Sequence, residues 1–156
     1  MSGTRAYASA LAAAALALTC ASAAFADPRP ADVPTVTAGC ATGYPVGVSA
    51  QGEPIRLDAL GAGLKHAWRQ GGWWRAGMAA FVPARHPVTV AVVHRQRDRA
   101  ALGFAGRREA YKVRFRPCDR KRTTWWPGVL KLTVVRPVTV EIHPAGRRPY
   151  REVLSG

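Results

Sequence analysis

The sequence predicts a mostly β protein folded as an antiparallel β-sandwich, with an immunoglobulin-like arrangement as one option and about seven to nine strands. Short segments alternate between apolar and polar residues, as strands with one buried face do. Turn-forming Gly and Pro residues separate them at intervals of about 8–12 residues, which is typical of sandwiches. The chain has 156 residues, of which 48% are hydrophobic, enough for one folded domain and too apolar for a disordered chain.

Four segments show the alternation most clearly. In one of them Tyr111, Val113 and Phe115 share a predicted buried face, while cations occupy the opposite face. The other three follow the same rule and are rich in β-branched residues, which favour strands. The four segments are residues 88–92, 111–116, 130–134 and 138–143.

Other segments give weaker strand signals. Between residues 55 and 68, leucine and tryptophan recur at helical spacing, but Gly61 and Gly63 would each cost about 1 kcal/mol inside a helix. We favour strand and turn there, with one short helix as the alternative. The weaker strand predictions are residues 44–49, 77–82, 101–104 and 149–154.

Residues 1–26 have the three parts of a secretory signal peptide. Arg5 supplies the positive charge, an apolar stretch follows, and an Ala-x-Ala cleavage site ends at Ala26, before Asp27. We therefore expect a secreted, extracellular protein, and association with the cell envelope is compatible with that destination.

Two other interpretations of the N-terminus stay open. Without cleavage, its apolar stretch is about long enough to anchor the chain in a membrane. In a lipoprotein, Cys20 would carry the lipid, although Thr19 before it is a poor match to a lipobox. Beyond the signal peptide, residues 27–37 are predicted as an extended Pro-rich arm, and residues 38–156 as a single β-sandwich domain.

The cysteine count agrees with export. Removal of the signal peptide takes away Cys20 and leaves Cys40 and Cys118, an even pair that predicts a disulfide in an oxidising compartment. The bond would close a loop of 79 residues and contribute about 4–5 kcal/mol, less any strain. Because no Cys-x-x-Cys motif is present, we expect a structural bond. Two separate buried thiols are the alternative.

Several motifs between residues 87 and 143 resemble a known group of proteins. They are Pro87-Val88-Thr89-Val90, the run from Arg97 to Phe104, Val113-Arg114-Phe115-Arg116-Pro117-Cys118, a Trp/Gly/Pro turn before Leu-x-Leu-x-Val, and Val138-Thr139-Val140-Glu141-Ile142. This combination resembles small exported actinobacterial proteins of unassigned function with a predicted β-sandwich domain. The resemblance implies the fold and the compartment, and no catalytic residue. Members often carry further cysteines near the late strands and the C-terminus, which this chain lacks.

The chain is strongly basic, with 23 Lys and Arg residues against 9 Asp and Glu residues and a formal net charge of +14. The preference for Arg over Lys is typical of a GC-rich genome, but the excess of cations over anions requires another explanation. If the segments before and after residue 118 pair as a hairpin, seven cations share one face. These residues are Lys112, Arg114, Arg116, Arg120, Lys121, Arg122 and Lys131.

A basic face of this kind predicts binding to a cell-wall polymer or another extracellular polyanion. Peripheral contact with anionic lipid at a membrane surface is a second option. Export argues against a specific nucleic-acid partner, although nonspecific binding at low salt is expected. A solvated face that only keeps the protein soluble is the alternative.

The five tryptophans include two adjacent pairs, Trp73-Trp74 and Trp125-Trp126. Adjacent residues in a strand point to opposite faces, so each pair sends at most one ring to the core. Trp74 and Trp126 are the candidate rings for stacking on sugar, which makes a carbohydrate-binding module the alternative function, and packing in the core or over a sheet edge is their other role. A structural or interaction module without a ligand is the third option.

No catalytic motif stands out. The sequence contains no Gly-x-Ser-x-Gly, no His-x-His and no His-Glu-x-x-His. Glu141 and His143 would share the outward face of one strand, an arrangement that we interpret as solvated. We therefore expect a protein that is not an enzyme, with no metal site and no cofactor.

Overall fold

The computed structural model describes residues 34–48, 55–59 and 63–155. These residues form two β-sheets that enclose one hydrophobic core, with three short 3-10 helices and no α-helix among them. The predicted mostly β sandwich is confirmed. The predicted signal peptide and residues 27–33 of the predicted arm lie outside the described residues. The strands are β1 (Thr35–Ala38), β2 (Tyr44–Val48), β3 (Arg56–Ala59), β4 (Trp68–Gln70), β5 (Trp73–Val82), β6 (Val88–Val92), β7 (Ala100–Phe104), β8 (Lys112–Phe115), β9 (Arg122–Leu132), β10 (Val138–Pro144) and β11 (Tyr150–Leu154).

The first sheet contains five strands in the order β1-β8-β6-β10-β11. Strand β6 lies at its centre and runs antiparallel to both of its neighbours, β8 and β10. Strand β1 pairs in parallel with β8, with Thr35 opposite Lys112 and Ala38 opposite Phe115. This pairing is the one parallel ladder among the described strands, and it covers the outer edge of β8.

The second sheet is built on β5 and β9, which pair antiparallel from Trp74 opposite Leu132 to Val82 opposite Thr124. Each of these long strands pairs with two shorter strands on its other edge. Strands β2 and β7 share the free edge of β9, and strands β3 and β4 share that of β5. Together the two sheets contain eleven described strands, compared with the predicted seven to nine. The difference arises because β1, β3 and β4 are too short to give a clear alternating pattern in the sequence.

Alternating side chains of both sheets fill the space between them. In β5 and β9 the even-numbered residues face the core, and in β8 the odd-numbered residues do. A fully buried Val or Leu contributes about 1.5–3 kcal/mol relative to an exposed one, so these rows supply most of the stability. Fully buried members of the two rows include Val113, Phe115, Val138, Val140 and Ile142 in the first sheet and Val82, Leu102, Phe104, Trp126 and Leu132 in the second.

Three aromatic rings join the two sheets at the centre of the core. Phe115 of β8 meets Phe104 of β7 edge to face at 4.9 Å between ring centroids, and its centroid lies 5.3 Å from that of Trp126 in β9. Aromatic pairs at these separations contribute about 0.5–1.5 kcal/mol beyond the area they bury. The cluster therefore fixes how β8 packs on the second sheet.

Strand β9 differs from the prediction, because the Trp/Gly/Pro segment that we expected to form a turn lies inside it. Pro127 occupies the position where β9 changes partner from β2 to β7, and its carbonyl oxygen accepts a hydrogen bond from the amide of Ala105 at 3.2 Å. The missing N–H of the proline points toward this gap between β2 and β7, so no ladder hydrogen bond to β5 is lost. The expected turn is therefore wrong, and β9 runs unbroken for 11 residues.

Of three further segments, two differ from the prediction and one agrees with it. Residues 35–37 of the predicted arm belong to β1. Between residues 55 and 68 the described residues form β3, a 3-10 helix at Gly63–His66 and the start of β4, which agrees with strand and turn. Tyr111 was expected on the buried face, but it precedes β8 and is 38% exposed.

The close approach of Gly128 to Phe104 gives a test of the core. A Cβ atom at Gly128 would overlap with the Phe104 ring and lie 2.8 Å from the carbonyl oxygen of Gly103. We expect Gly128→Ala to lower the free energy of unfolding by about 1–3 kcal/mol because it overpacks the core. Urea denaturation measures this change.

Gly39→Ala is the matched control for this experiment. A Cβ atom there would meet nothing within 4 Å, and the backbone φ of −114° suits any residue. We expect this variant to change the stability by less than about 0.5 kcal/mol. Equal stability of the two variants would contradict the packing of Phe104 against β9.

Candidate functional site

The strand order of the first sheet brings three loops together at one end of the sandwich. Since β6 runs antiparallel to β8 and β10, the loop before β6 lies beside the loops that follow β8 and β10. Two hydrogen bonds join these loops: the Ala145 amide donates to the Pro87 carbonyl oxygen at 2.9 Å, and Arg85 Nε donates to the Arg120 carbonyl oxygen at 2.8 Å. We call loops 83–87, 116–121 and 145–149, with the flanking residues Arg114 and Arg122, the basic end.

The basic end carries a dense set of exposed cations. Its one acidic residue is Asp119, whose carboxylate accepts hydrogen bonds from the backbone amides of Lys121 at 2.6 Å and Arg122 at 3.1 Å. These hydrogen bonds, that from Lys121 first, lower the pKa of Asp119 below its usual value. The carboxylate thus shapes the loop between β8 and β9. The exposed cations are Arg85, Arg114, Arg116, Arg120, Lys121, Arg122, Arg147 and Arg148.

Five of the seven predicted polyanion-binding residues belong to this end, whereas Lys112 begins β8 and lies at the opposite end of that strand. Arg114 and Lys112 lie on the outer face of the first sheet, because Val113 and Phe115 point into the core. Across that face, the neighbours of Arg114 are Thr37 of β1 and Thr89 of β6. The remaining four occupy the loop between β8 and β9 or the first position of β9: Arg116, Arg120, Lys121 and Arg122.

The seventh residue, Lys131, is elsewhere, and the prediction that all seven cations share one face is wrong. That prediction required β8 and β9 to form a hairpin, but β8 pairs with β1 and β6 while β9 pairs with β2, β5 and β7. The loop between them crosses from one sheet to the other. Lys131 therefore lies on the outer face of the second sheet, where its Nζ is 4.4 Å from the centroid of the Trp73 ring.

Sequence reasoning missed the contribution of the loops before β6 and after β10. Arg85, Arg147 and Arg148 are separated by about sixty residues of chain and gave no local pattern. The signal that remained was the shared composition of these loops, which both combine Pro with Arg at the end of a strand. Only the order of strands in the sheet brings them to the basic end.

Each tryptophan pair sends one ring inward and one outward, as strand alternation requires, but the outward ring is the one that was not predicted. Trp126 is fully buried in the core, so its predicted stacking role is wrong. Trp74 is half-buried and packs against the core from the neighbouring strand. Their parity follows that of Leu130 and Leu132 across the β5–β9 ladder. The outward members are Trp73, which follows the Gly71-Gly72 turn and is 36% exposed, and Trp125, which lies 5.4 Å from Tyr44.

Cys40 and Cys118 are neighbours. Cys40 follows β1 and Cys118 follows β8, and because these strands are parallel and in register, both residues emerge at the same end. The two residues approach to 2.6 Å, which is longer than the disulfide bond length of about 2.05 Å, so both are free thiols and the predicted disulfide is not confirmed. Burial, followed by the contact with Cys40, raises the pKa of Cys118 to about 12, so this thiol is protonated at neutral pH.

Glu141 and His143 share an outer strand face, with 3.7 Å between His143 Nε2 and Glu141 Oε2. The stronger partner of Glu141 is Arg151, whose guanidinium donates to Oε1 at 2.6 Å. This hydrogen bond lowers the pKa of Glu141. Glu141 is therefore held as a carboxylate in an ion pair on the sheet surface. Within the ranges described, no group of three or more metal-ligating side chains converges.

Among the described residues, no helix has the length and apolar character needed to cross a lipid bilayer. Comparisons with known proteins find no matching family model, no similar curated protein and no similar solved structure.

Proposed function

We propose that the protein is an exported binding domain that associates with the cell envelope by holding an anionic polymer at its basic end. The observation that supports this proposal most strongly is the convergence of three separate loops whose charged residues are cations except for Asp119. Such a concentration of one sign of charge attracts polyanions from a distance and holds them by repeated contacts.

The shape of the charge distribution favours a polymer over a small anion. The cations are exposed, and they extend from Arg114 on the sheet face through the loop at Arg120 to Arg148 in the loop after β10. A chain of phosphates, sulfates or carboxylates contacts several of these residues at once. A small anion contacts few of them, and salt screens its attraction to the others beyond about 8 Å.

Charge neutralisation at the basic end tests this proposal. We expect the triple variant Arg116→Gln, Arg120→Gln, Lys121→Gln to elute from a heparin matrix at lower salt than the wild type. The plot of log binding constant against log salt concentration should become less steep by about 2–3, because the variant makes fewer ionic contacts and binding therefore releases fewer counterions. Salt titration of binding to fluorescent heparin measures the slope.

The matched control removes the same charge elsewhere. Arg95, Arg107 and Arg136 are exposed and lie outside the basic end. The variant Arg95→Gln, Arg107→Gln, Arg136→Gln should retain the wild-type slope. Equal losses in both variants would show that net charge alone causes binding and would overturn the proposal. Binding to vesicles that contain phosphatidylglycerol, without binding to heparin, would assign the surface to membranes instead.

We also propose that export removes residues 1–26. Expressed with its full N-terminus in a secreting bacterial host, the protein found outside the membrane should have the intact mass of a chain that begins at Asp27. The double variant Ala24→Asp, Ala26→Asp should block cleavage of the signal peptide and keep the full-length chain with the membrane. A full-length mass for the wild type would support the anchor, and a lipidated Cys20 would support the lipoprotein.

For the exported protein we further propose a disulfide between Cys40 and Cys118, whose proximity and register support it. The two thiols would lose two protons and two electrons to a disulfide-bearing oxidant outside the cytoplasm. The raised pKa of Cys118 keeps this thiol protonated when the bond is open, so it is not a reactive thiolate at neutral pH.

Mass spectrometry after alkylation without reductant tests the bond. We expect the exported protein to remain unlabelled, and to accept two labels after unfolding and reduction. The variant Cys40→Ser should lose up to about 4–5 kcal/mol of stability, and reduced wild type should lose a similar amount. Two labels on the unreduced protein would contradict the disulfide.

A further inference from the structure

A second site lies at the opposite end of β8, away from the basic end. A cleft of about 420 Å³ opens where the edge strands β1 and β7 of the two sheets meet. Pro34 and Val36 form one wall, and Ala101 of β7 lies on another. This volume is within the range of about 300–1,000 Å³ that is typical of small-molecule sites.

Two aromatic side chains line the cleft. Trp73 and Tyr111 are 36% and 38% exposed, respectively, which leaves ring surface open to solvent. Both are held by the backbone: Trp73 follows the two-residue turn of the β4–β5 hairpin, and the Tyr111 carbonyl oxygen accepts a hydrogen bond from the Val92 amide at 2.8 Å. Partly exposed rings on a positioned backbone are suited to packing against another ring.

Three cations line the same cleft. Lys131 is placed over the Trp73 ring, and Arg97 is held by a hydrogen bond from its Nε to the Val92 carbonyl oxygen at 3.2 Å. Arg108 is exposed at the rim. These contacts position positive charge next to aromatic surface before any ligand arrives.

The acidic residues of the cleft do not neutralise this charge. Glu109 is already paired with Arg75 at 3.1 Å, and Asp98 is the second acidic residue in the lining. The hydrogen bond from its own backbone amide, aided by Lys131 and Arg75, lowers the pKa of Glu109, which therefore stays ionised as an internal counterion. Three cations and two carboxylates therefore line the cleft, and one of these carboxylates is also neutralised by Arg75, which lies outside the lining.

We propose that this cleft binds a small anionic ring compound, with Trp73 and Tyr111 packed against the ring and Lys131 and Arg97 contacting its carboxylate. The combination of apolar ring surface and excess positive charge selects this chemistry over a neutral sugar, which needs no cation, and over a simple inorganic anion, which needs no ring. A sugar acid and an aromatic acid share the required features.

Calorimetric titration with four probes separates the contributions of ring and charge. Glucuronate and benzoate carry the carboxylate on a sugar and on an aromatic ring, and glucose and benzamide are their neutral counterparts. We expect at least one acid to bind, and its neutral counterpart to bind at least tenfold more weakly. The acid that binds identifies the ring type. Equal binding of acid and neutral counterpart, or no binding by either acid, would overturn the proposal.

Variants locate the binding in the cleft. Lys131→Met keeps the apolar stem and should weaken the acid at least tenfold, whereas Lys65→Met, at an exposed position outside the lining, should leave it unchanged. Tyr111→Ala should weaken the acid through loss of ring contact. The triple variant at the basic end should bind the acid as the wild type does. Unchanged affinity in Lys131→Met would overturn the proposal and leave the polymer site unaffected.

Discussion

The structure depends on the contact of Trp126 and Phe104 with Phe115 across the core. Phe115 belongs to the first sheet and the other two rings to the second, so this contact sets the spacing between the sheets. Trp126 has a further role, because its Nε1 donates to the Gly39 carbonyl oxygen at 3.3 Å. A Cβ atom at Gly43 would lie 2.6 Å from the same indole. The buried ring thereby holds the segment between β1 and β2 on the core, and with it Cys40.

The parallel pairing of β1 with β8 transmits this constraint to both proposed sites. Its register places Cys40 beside Cys118 at one end, next to the loop that carries Arg120. At the other end it sets Pro34 against the cleft. A four-residue edge strand has little stability by itself, since few ladder hydrogen bonds hold it. The cysteine contact and the Trp126 hydrogen bond therefore add to the ladder with β8 and to the burial of Ala38 in holding this strand in place.

The sequence predicted the class of fold well because alternation is a local property. The strand β6 at Val88–Val92 matches the prediction at both ends, and β10 differs by one residue. The partners of each strand are set by distant contacts, and here the prediction failed: the assumed β8–β9 hairpin placed Lys131 on the wrong sheet. The alternation of inward and outward residues along β9 also locates its tryptophans. Extending the inward positions of Leu130 and Leu132 back along β9 places Trp126 in the core, but the Pro-Gly pair at 127–128 resembled a turn.

The same topology places the two proposed sites at opposite ends of β8. The loop of the basic end that follows β8 begins at Arg116, and the cleft includes Tyr111 just before this strand. Five residues of extended chain span about 17 Å, which is about two screening lengths for exposed charges at physiological salt, and Arg114 within the strand is about 10 Å from Tyr111. A polymer held by the loops therefore changes the potential in the cleft little, and occupation of the cleft leaves these loops free. Coupling between them would pass through β8 or its parallel neighbour β1, because each of these strands has one end at the cleft and the other beside the loop that carries Cys118.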